Sequence, residues 1–434
     1  MMNSQKNIIK PKRTLAKIFI LSAFVFYGVS VFGPWQWHLY SVEGLIYFVL
    51  IDMLFLLGLM SGIIAPKSQT DEQQTKLHQM CLSNRQKKIV LAISLCSVLC
   101  WIYEMFQLLV VNSGSFVFMA GAGQAEDYLE GRTVLDQIAL IIMQLGVGSY
   151  ILFALFAESK TFWQRAVVNL GFWAAAIYLI TYGQRFALAV TFIIFIVVWK
   201  INGGSFAKTR SKIRQSRSLQ YCLIAIACLV LLAIFFYVFN TRLHVEAPYK
   251  YEFIPGDMAL KPFWQDLYNV TDGGIDPLLM LADYMGESPF VFSGNWVFYQ
   301  PDHIYWCYQL FRPIIQFASI FDFPSYMDIV NSINAPAKYS GLAYSLMLNF
   351  GVYLAPFASY LIGFMFSEIE SYRGHSYLCS ALYPCCVAAT VFAPIYFITV
   401  GRLDYVVYGI LLICFLVGKP VGNYDCLKYW RHQA

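Results

Sequence analysis

The sequence predicts an all-α, polytopic integral membrane protein. Hydrophobic residues make up 59% of the 434-residue chain and charged residues only 13%, whereas about a quarter of the residues of a soluble domain are charged. Apolar runs of about 17–25 residues, the length of a membrane-spanning helix, recur along the whole chain. Together these observations exclude a soluble protein with a single membrane anchor.

We predict ten transmembrane helices from these runs. The first follows a positively charged segment but no small-x-small cleavage site, so we expect a retained helix and not a signal peptide. The chain then divides into helices 1–7 with short loops (residues 1–239), one large loop (240–342), and helices 8–10 with a tail (343–434). The predicted spans are at about residues 15–33, 42–64, 89–111, 134–157, 166–182, 186–199, 219–239, 343–366, 377–398 and 405–418.

The positive charges predict the orientation, because segments rich in Lys and Arg stay on the cytoplasmic side. With both termini inside, all but eight of the 30 Lys and Arg residues lie in inside segments. We interpret the basic run 200–217 as a topology determinant attracted to anionic lipids, and not as a nucleic-acid site. The eight cations left on the outer side are Arg132, Arg185, Arg242, Lys250, Lys261, Arg312, Lys338 and Arg402.

The large outer loop is the longest segment between apolar runs. Loops longer than about 12–15 residues are usually functional or disordered, and this one is too aromatic for disorder. We therefore expect it to cap an active site. Its carboxylates outnumber its Lys and Arg residues, so individual cations must hold any anionic substrate. The apolar pieces at 290–299 and 304–321 predict amphipathic helices on the outer membrane surface.

A short polar interruption, Gly183-Gln184-Arg185, divides the apolar stretch from Ala166 to Trp199. Each leg is about 25 Å long as a helix, which is less than the hydrocarbon core of about 30 Å. The tip is therefore drawn to the outer headgroup level or slightly below it. An Arg there is a functional candidate, because a guanidinium binds phosphate through two N–H groups. The alternative is an Arg that reaches the lipid phosphates.

Five further residues are candidates for the same site. Arg242 and His244 directly follow the span at 219–239, and a His beside an Arg, its pKa held down by that neighbour, suits a general base. Arg312 lies in an apolar run, where it has either a function or a buried ion pair. Lys338 precedes the eighth span and is a candidate for phosphate contact. His303, next to Asp302, is a weaker candidate.

Three carboxylates, Glu43, Asp52 and Glu104, lie within or near predicted spans, and the sequence does not distinguish which of them faces a cavity. Arg402 and Asp404 share one turn, where we expect a structural ion pair. The sequence contains no Walker A, GxSxG, HExxH or DxD motif and no Cys/His cluster. We therefore expect no metal and no cofactor, with Arg and Lys side chains stabilising a leaving diphosphate.

Three features resemble the bacterial oligosaccharide repeat-unit polymerases, the O-antigen (Wzy-type) polymerases. The first is the Gly183-Gln184-Arg185 tip between two short apolar legs, where the family has G-S-R. The second is the long outer loop before a late span. The third is the entry to that span, in which residues 339–345 (YSGLAYS) lead to Asn349-Phe350-Gly351.

The resemblance implies a metal-independent membrane glycosyltransferase of GT-C-like architecture in the bacterial inner membrane, with both termini cytoplasmic and the large loop periplasmic. Such an enzyme transfers the growing glycan from undecaprenyl diphosphate to the next lipid-linked repeat. By position, Arg185 holds the donor diphosphate, and Arg242, Arg312 or Lys338 shares its charge. His244 or a loop carboxylate deprotonates the acceptor hydroxyl. Expected partners are the lipid-linked oligosaccharide, membrane lipids and a chain-length regulator protein.

Two alternatives stay open at this point. One is an O-antigen ligase of the same fold, which transfers the chain to lipid A–core. The other is a transporter or flippase for a lipid-linked sugar, which should contain inverted repeats and ionisable or broken helices near the membrane midplane. The sequence shows no repeat, and its outer cations cluster at the membrane edge.

Overall fold

A computed structural model describes residues 13–38, 40–62, 80–107, 134–157, 160–181, 185–202, 258–296, 311–318, 341–373, 376–395, 403–418 and 421–422. The described chain is mostly helical and includes four short strands, β1 (Trp35–Trp37), β2 (Met80–Cys81), β3 (Met258–Leu260) and β4 (Val421–Gly422). The helices are α1 (Thr14–Phe32), α2 (Val42–Met60), α3 (Asn84–Phe106), α4 (Val134–Phe156), α5 (Phe162–Thr181), α6 (Arg185–Ile201), α7 (Pro262–Val270), α8 (Asp276–Gly286), α9 (Ser288–Trp296), α10 (Arg312–Ala318), α11 (Gly341–Tyr372), α12 (Tyr377–Phe392) and α13 (Leu403–Val417).

The described helices confirm an all-α membrane protein. Five are long and apolar enough to cross a bilayer: α1, α2, α3, the Ile138–Phe156 part of α4, and α11. Three shorter apolar helices, α6, α12 and α13, also coincide with predicted spans, as does α5. The predicted span at 219–239 lies outside the described residues, so the count of ten stays a prediction.

The ends of the helices lie on two opposite faces of the protein, each marked by a pair of short strands. On one face, β1 pairs antiparallel with β3, with Trp35 opposite Leu260, which joins the end of α1 to the large loop. On the other face, β2 pairs antiparallel with β4, with Met80 opposite Gly422. We call these the loop face and the tail face. Asn202, at the end of α6, lies on the tail face, and Met258, at the start of β3, lies on the loop face.

Positive charges are distributed unevenly between these faces. Within the described ranges the loop face carries Arg185, Lys261 and Arg312. The positive-inside rule assigns the richer face to the cytoplasm, so the predicted orientation places the tail face inside. The tail face carries Arg13, Lys17, Arg85, Lys87, Lys88, Lys160, Arg165, Lys200 and Arg373.

Charged side chains from distant parts of the chain bind both ends of α1. The first two N–H groups of α1 donate to the carboxylate oxygens of Glu370, at 2.8 and 3.1 Å. At the other end, the ammonium of Lys261 donates to the carbonyl oxygens of Val31 and Gly33, at 2.9 and 2.8 Å. An anion at the start of a helix and a cation at its end both interact favourably with the helix dipole. Lys261 therefore has a structural role.

Helices α2 and α11 pack closely through glycine. A Cβ atom at Gly58 would lie 2.2 Å from the carbonyl oxygen of Tyr360, and one at Gly363 would lie 2.2 Å from that of Phe55. Small residues permit such close backbone approach between membrane helices, where packing drives association. The crossing therefore depends on the absence of a side chain at these two positions.

The loop helices differ from the sequence prediction. The apolar piece at 290–299 was expected on the outer membrane surface, but α9 packs against α2, where Gly44 contacts Ser293 and Trp296. Phe292 is fully enclosed and its ring lies against Phe48. The surface prediction is therefore wrong for the described part of this segment. Its phenylalanines fill the space between the loop and the membrane helices.

The packing of α11 on α2 gives a direct test with a matched control. We expect Gly363→Ala to lower the free energy of unfolding by more than about 2 kcal/mol, because the added methyl group forces the helices apart. Gly28→Ala is the control, since no atom lies within 4 Å of a Cβ built there, and Ala should stabilise α1 by up to about 1 kcal/mol. Thermal unfolding in detergent measures both. Equal effects would contradict the proposed crossing.

Candidate functional site

Arg185 lies at the loop-face end of the α5–α6 helix pair, as predicted from the sequence. Helix α5 ends at Thr181, and Arg185 is the first residue of α6, on the loop face. The next residue, Phe186, lies edge-on to Phe392 at the end of α12, with ring centroids 5.6 Å apart. A helix N-terminus carries a partial positive charge from its free N–H groups, which favours anions at this position. The role of the Arg185 side chain stays a prediction.

The turn after α12 joins three parts of the chain at the loop face. The carbonyl oxygen of Ile395 accepts hydrogen bonds from the N–H of Gly341, at 3.1 Å, and from the hydroxyl of Ser288, at 3.0 Å. The carbonyl oxygen of Ala393 accepts one from the N–H of Leu342, at 2.9 Å. The loop helices and the start of α11 therefore meet at residues 393–395, next to the contact between Phe186 and Phe392. We call this meeting point the loop-face junction.

Two carboxylates of the large loop are buried beside this junction. Glu287, directly before Ser288, has no exposed surface, and Asp283 is also buried one helical turn earlier. Helix α8, which carries Asp283, packs on α1 so closely that a Cβ at Gly286 would lie 3.1 Å from the backbone of Ser30. In the sequence, both acids are noticeable only as part of the loop's excess of carboxylates. The available signal was their i, i+4 spacing on an apolar helix, which places them on one face.

A second polar group lies at the loop-face ends of α3, α4 and α5. The hydroxyl of Tyr178 donates to Glu104 at 2.8 Å, and the hydroxyl of Tyr103 donates to Asp136 at 3.0 Å. Glu104 is fully buried, and Tyr178 lies in the last turn of α5, seven residues before Arg185 in the sequence. Of the three carboxylates near spans that the sequence left open, Glu104 is therefore the one that faces the α5–α6 hairpin.

Arg312 forms a buried ion pair. Its Nε and one terminal nitrogen each donate to Asp404, both at 2.7 Å, and the two side chains are 13% and 1% exposed. The guanidinium also lies 5.2 Å from the centre of the Tyr405 ring. Asp404 therefore forms a buried ion pair with Arg312. Arg402, the partner predicted from the sequence, lies outside the described residues. The pair uses two of the five N–H donors of a guanidinium, so it does not by itself exclude phosphate contact.

The remaining predicted site residues, Arg242, His244 and Lys338, lie outside the described residues, as do His303 and Arg402. Their roles stay predictions. Across the described ranges, no group of three or more His, Cys, Asp or Glu side chains is arranged to hold a metal ion.

Helix α11 is broken inside the protein. Gly351 has φ 72° and ψ 171°, a backbone conformation that favours glycine. Pro356 has no N–H for the carbonyl oxygen of Val352, which instead accepts a hydrogen bond from the Tyr47 hydroxyl at 2.6 Å. A Cβ at Gly341 would lie 3.3 Å from the Phe48 ring. Gly341 and Val352 thus contact adjacent residues of α2, so the segment between them, about 15 Å long, lies across α2.

The Arg312–Asp404 pair predicts a specific pattern of stabilities. Arg312→Met and Asp404→Leu should each lower the free energy of unfolding by about 3 kcal/mol, because each leaves a buried charge without its partner. The double variant should lose less than the sum, because no unpaired charge remains. Thermal unfolding of the four proteins measures the coupling. Additive losses would mean that the two side chains do not stabilise each other.

On the tail face, Lys160 lies in the turn between α4 and α5. Its ammonium donates to the carbonyl oxygen of Ala154 at 2.7 Å and lies 5.7 Å from the centre of the Phe153 ring. Burial lowers the pKa of Lys160 to about 8, and the charges of Arg165 and Lys87 act in the same direction. This lysine is remote from the loop-face junction.

The lowered pKa of Lys160 predicts a pH effect on stability. Between pH 8 and the ordinary lysine pKa of 10.5, the unfolded chain binds a proton that the native protein does not, so stability rises with pH. The melting temperature of the wild type should therefore rise relative to that of Lys160→Met across this interval. Lys88→Met, which removes an exposed lysine, is the control. A constant difference between wild type and Lys160→Met would contradict the assignment.

The fold and its apolar helices define the class, an all-α integral membrane protein. No protein-family model, curated protein or solved structure matches the chain.

Proposed function

We propose that the protein polymerises lipid-linked oligosaccharide repeat units of O-antigen or a similar surface polysaccharide. The observation that supports this most is the loop-face junction. There, the start of α11 and the loop segment that carries the buried Glu287 bond to the turn after α12. Phe186, the residue after Arg185, packs against the end of α12. An anionic, sugar-bearing substrate needs both a cation for its diphosphate and a carboxylate near its hydroxyls.

In the proposed reaction, the acceptor hydroxyl of one lipid-linked repeat attacks the anomeric carbon of the growing glycan. The bond from that carbon to the diphosphate oxygen breaks, and undecaprenyl diphosphate leaves with the electron pair. Arg185 binds the diphosphate, and Arg312, Lys338 or Arg242 shares the developing charge, so that the transfer needs no metal. His244 or the loop carboxylate Glu287 takes the hydroxyl proton.

The proposal places the enzyme in the bacterial inner membrane, with the tail face and both termini in the cytoplasm and the loop face in the periplasm. The excess of Lys and Arg on the tail face supports this orientation. The lipid-linked repeats then reach the site from the outer leaflet. A chain-length regulator protein is the expected partner.

Arg185→Ala should abolish long-chain polysaccharide without loss of membrane insertion, because one charge at the hairpin tip does not determine topology. Arg185→Lys should restore part of the activity, since an ammonium keeps the charge but not the two-point contact with phosphate. A glycan ladder on a gel, from a strain that lacks the gene and carries each variant, measures the outcome.

Lys200→Ala, at the tail-face end of the same helix, is the matched control and should leave the ladder unchanged. Full-length ladders from the Arg185→Ala strain would contradict the proposed function. The strain that lacks the gene also identifies the ligase alternative. Loss of a polymerase leaves single repeats attached to the lipid A–core, whereas loss of a ligase leaves long chains on the lipid carrier.

The second candidate is a transporter or flippase for a lipid-linked sugar, and one observation favours it. Secondary transporters bind their substrates where membrane helices are interrupted, and α11 is broken at Gly351. If the protein is a flippase, a strain that lacks the gene keeps its lipid-linked repeats on the cytoplasmic leaflet. Protection of these repeats from an added periplasmic glycosidase separates this outcome from loss of a polymerase.

A further inference from the structure

We propose that Asp52 is the centre of an intramembrane binding site for one small monovalent cation, a proton or Na⁺. The site lies where α2 packs against α1 and α11. It does not depend on the proposed glycosyl transfer, because it rests on the chemistry of one buried carboxylate.

Asp52 lies near the middle of a membrane-spanning helix. It is the eleventh of the 19 residues of α2 and is 4% exposed. The residues one turn away on the same face, Phe48 and Phe55, are fully buried and contact Tyr27 and Phe19 of α1, respectively. Asp52 therefore faces the protein interior, opposite the middle of α1, and not the lipid.

Neither carboxylate oxygen of Asp52 has a hydrogen-bond partner within the described part of the chain. The helices packed against α2 are α11, α9 and α1, and the described basic residue among these four helices is Lys17, which is exposed near the tail face. Besides Asp52, the titratable side chains on these four helices are Lys17, Tyr27, Glu43, Tyr47, Tyr344, Tyr353, Tyr360, Glu368, Glu370 and Tyr372.

An unpaired carboxylate in this surrounding is strongly unfavourable when it is charged. Removal from water costs an ion its hydration, and only a partner of opposite charge or a proton compensates for that loss. Asn or Leu would serve a purely structural role at lower cost. The residue at this position is nevertheless an acid. In our proposal, a bound cation neutralises its carboxylate.

The helices that pack against this part of α2 carry oxygen atoms, which are the ligands of Na⁺ and H⁺ sites in membrane proteins. The hydroxyl of Tyr27 has no hydrogen-bond partner among the described residues. The hydroxyl of Ser359 donates to the carbonyl oxygen of Ile51, beside Asp52, at 2.7 Å. The break in α11 at Gly351 is close along the same interface, and interrupted helices supply carbonyl oxygens to Na⁺ and H⁺ sites.

The test is thermal unfolding of the purified full-length protein in detergent. A cation that binds only the native state raises the melting temperature. If the ligand is Na⁺, NaCl should raise the melting temperature and KCl should not. If the ligand is a proton, the melting temperature should fall as the pH rises, with no Na⁺ effect. Either response should be lost in Asp52→Asn.

Glu43→Gln, which removes an exposed carboxylate at the start of the same helix, is the matched control and should keep the wild-type response. Identical responses of the wild type and Asp52→Asn to both Na⁺ and pH would overturn the proposal.

A second measurement needs no variant and covers the case in which Asp52→Asn does not fold. Dicyclohexylcarbodiimide is an apolar reagent that adds to protonated carboxyl groups. Peptide mass spectrometry on wild-type protein in phosphatidylethanolamine–phosphatidylglycerol vesicles should find the label at residue 52. Rising pH should reduce this labelling for a proton site, and Na⁺ should reduce it for a sodium site. Labelling that neither changes, or none at residue 52, would contradict the proposal.

Discussion

The architecture depends on one constraint: a backbone N–H or C=O group away from water must find a partner within the protein. Each interruption of a helix therefore requires a bond from elsewhere in the chain. The Tyr47 hydroxyl satisfies the Val352 carbonyl oxygen that Pro356 leaves without a donor. Glu370 and Lys261 do the same for the two ends of α1. These bonds connect residues that are hundreds of positions apart, so the requirement for partners organises the tertiary structure.

The same requirement gathers the candidate site. The start of α11 has free N–H groups, and the turn after α12 has free carbonyl oxygens, so the two ends bond to each other at Ile395 and Ala393. The hydroxyl of Ser288 joins them and brings the buried Glu287 with it. Phe186 packs on the end of α12, which places the first residue of α6 nearby. A junction that satisfies the backbone thus also collects charged and hydroxyl groups.

Buried charges in this protein fall into two kinds. Arg312 and Asp404 neutralise each other through two short hydrogen bonds, and Glu104 accepts a hydrogen bond from Tyr178. Asp52 has no such partner in the described chain. A buried charge with a partner is compensated within the protein, whereas a buried acid without a partner needs a bound proton or cation to compensate its charge. The paired charges therefore have a structural role whatever else they do, whereas Asp52 has no structural partner among the described residues.

The membrane class, the positions of most helices and the place of Arg185 at a helix start on the loop face could all be predicted from the amino-acid sequence. Hydropathy, span length and charge asymmetry are local properties, and the bilayer imposes them on each segment independently. The pairing of Arg312 with Asp404, the packing of α9 against α2, the burial of Glu287 and the break of α11 at Gly351 became visible only in the folded protein. Each of these depends on the packing of segments far apart in the chain, and a local pattern such as the i, i+4 spacing of Asp283 and Glu287 does not say which segment covers it.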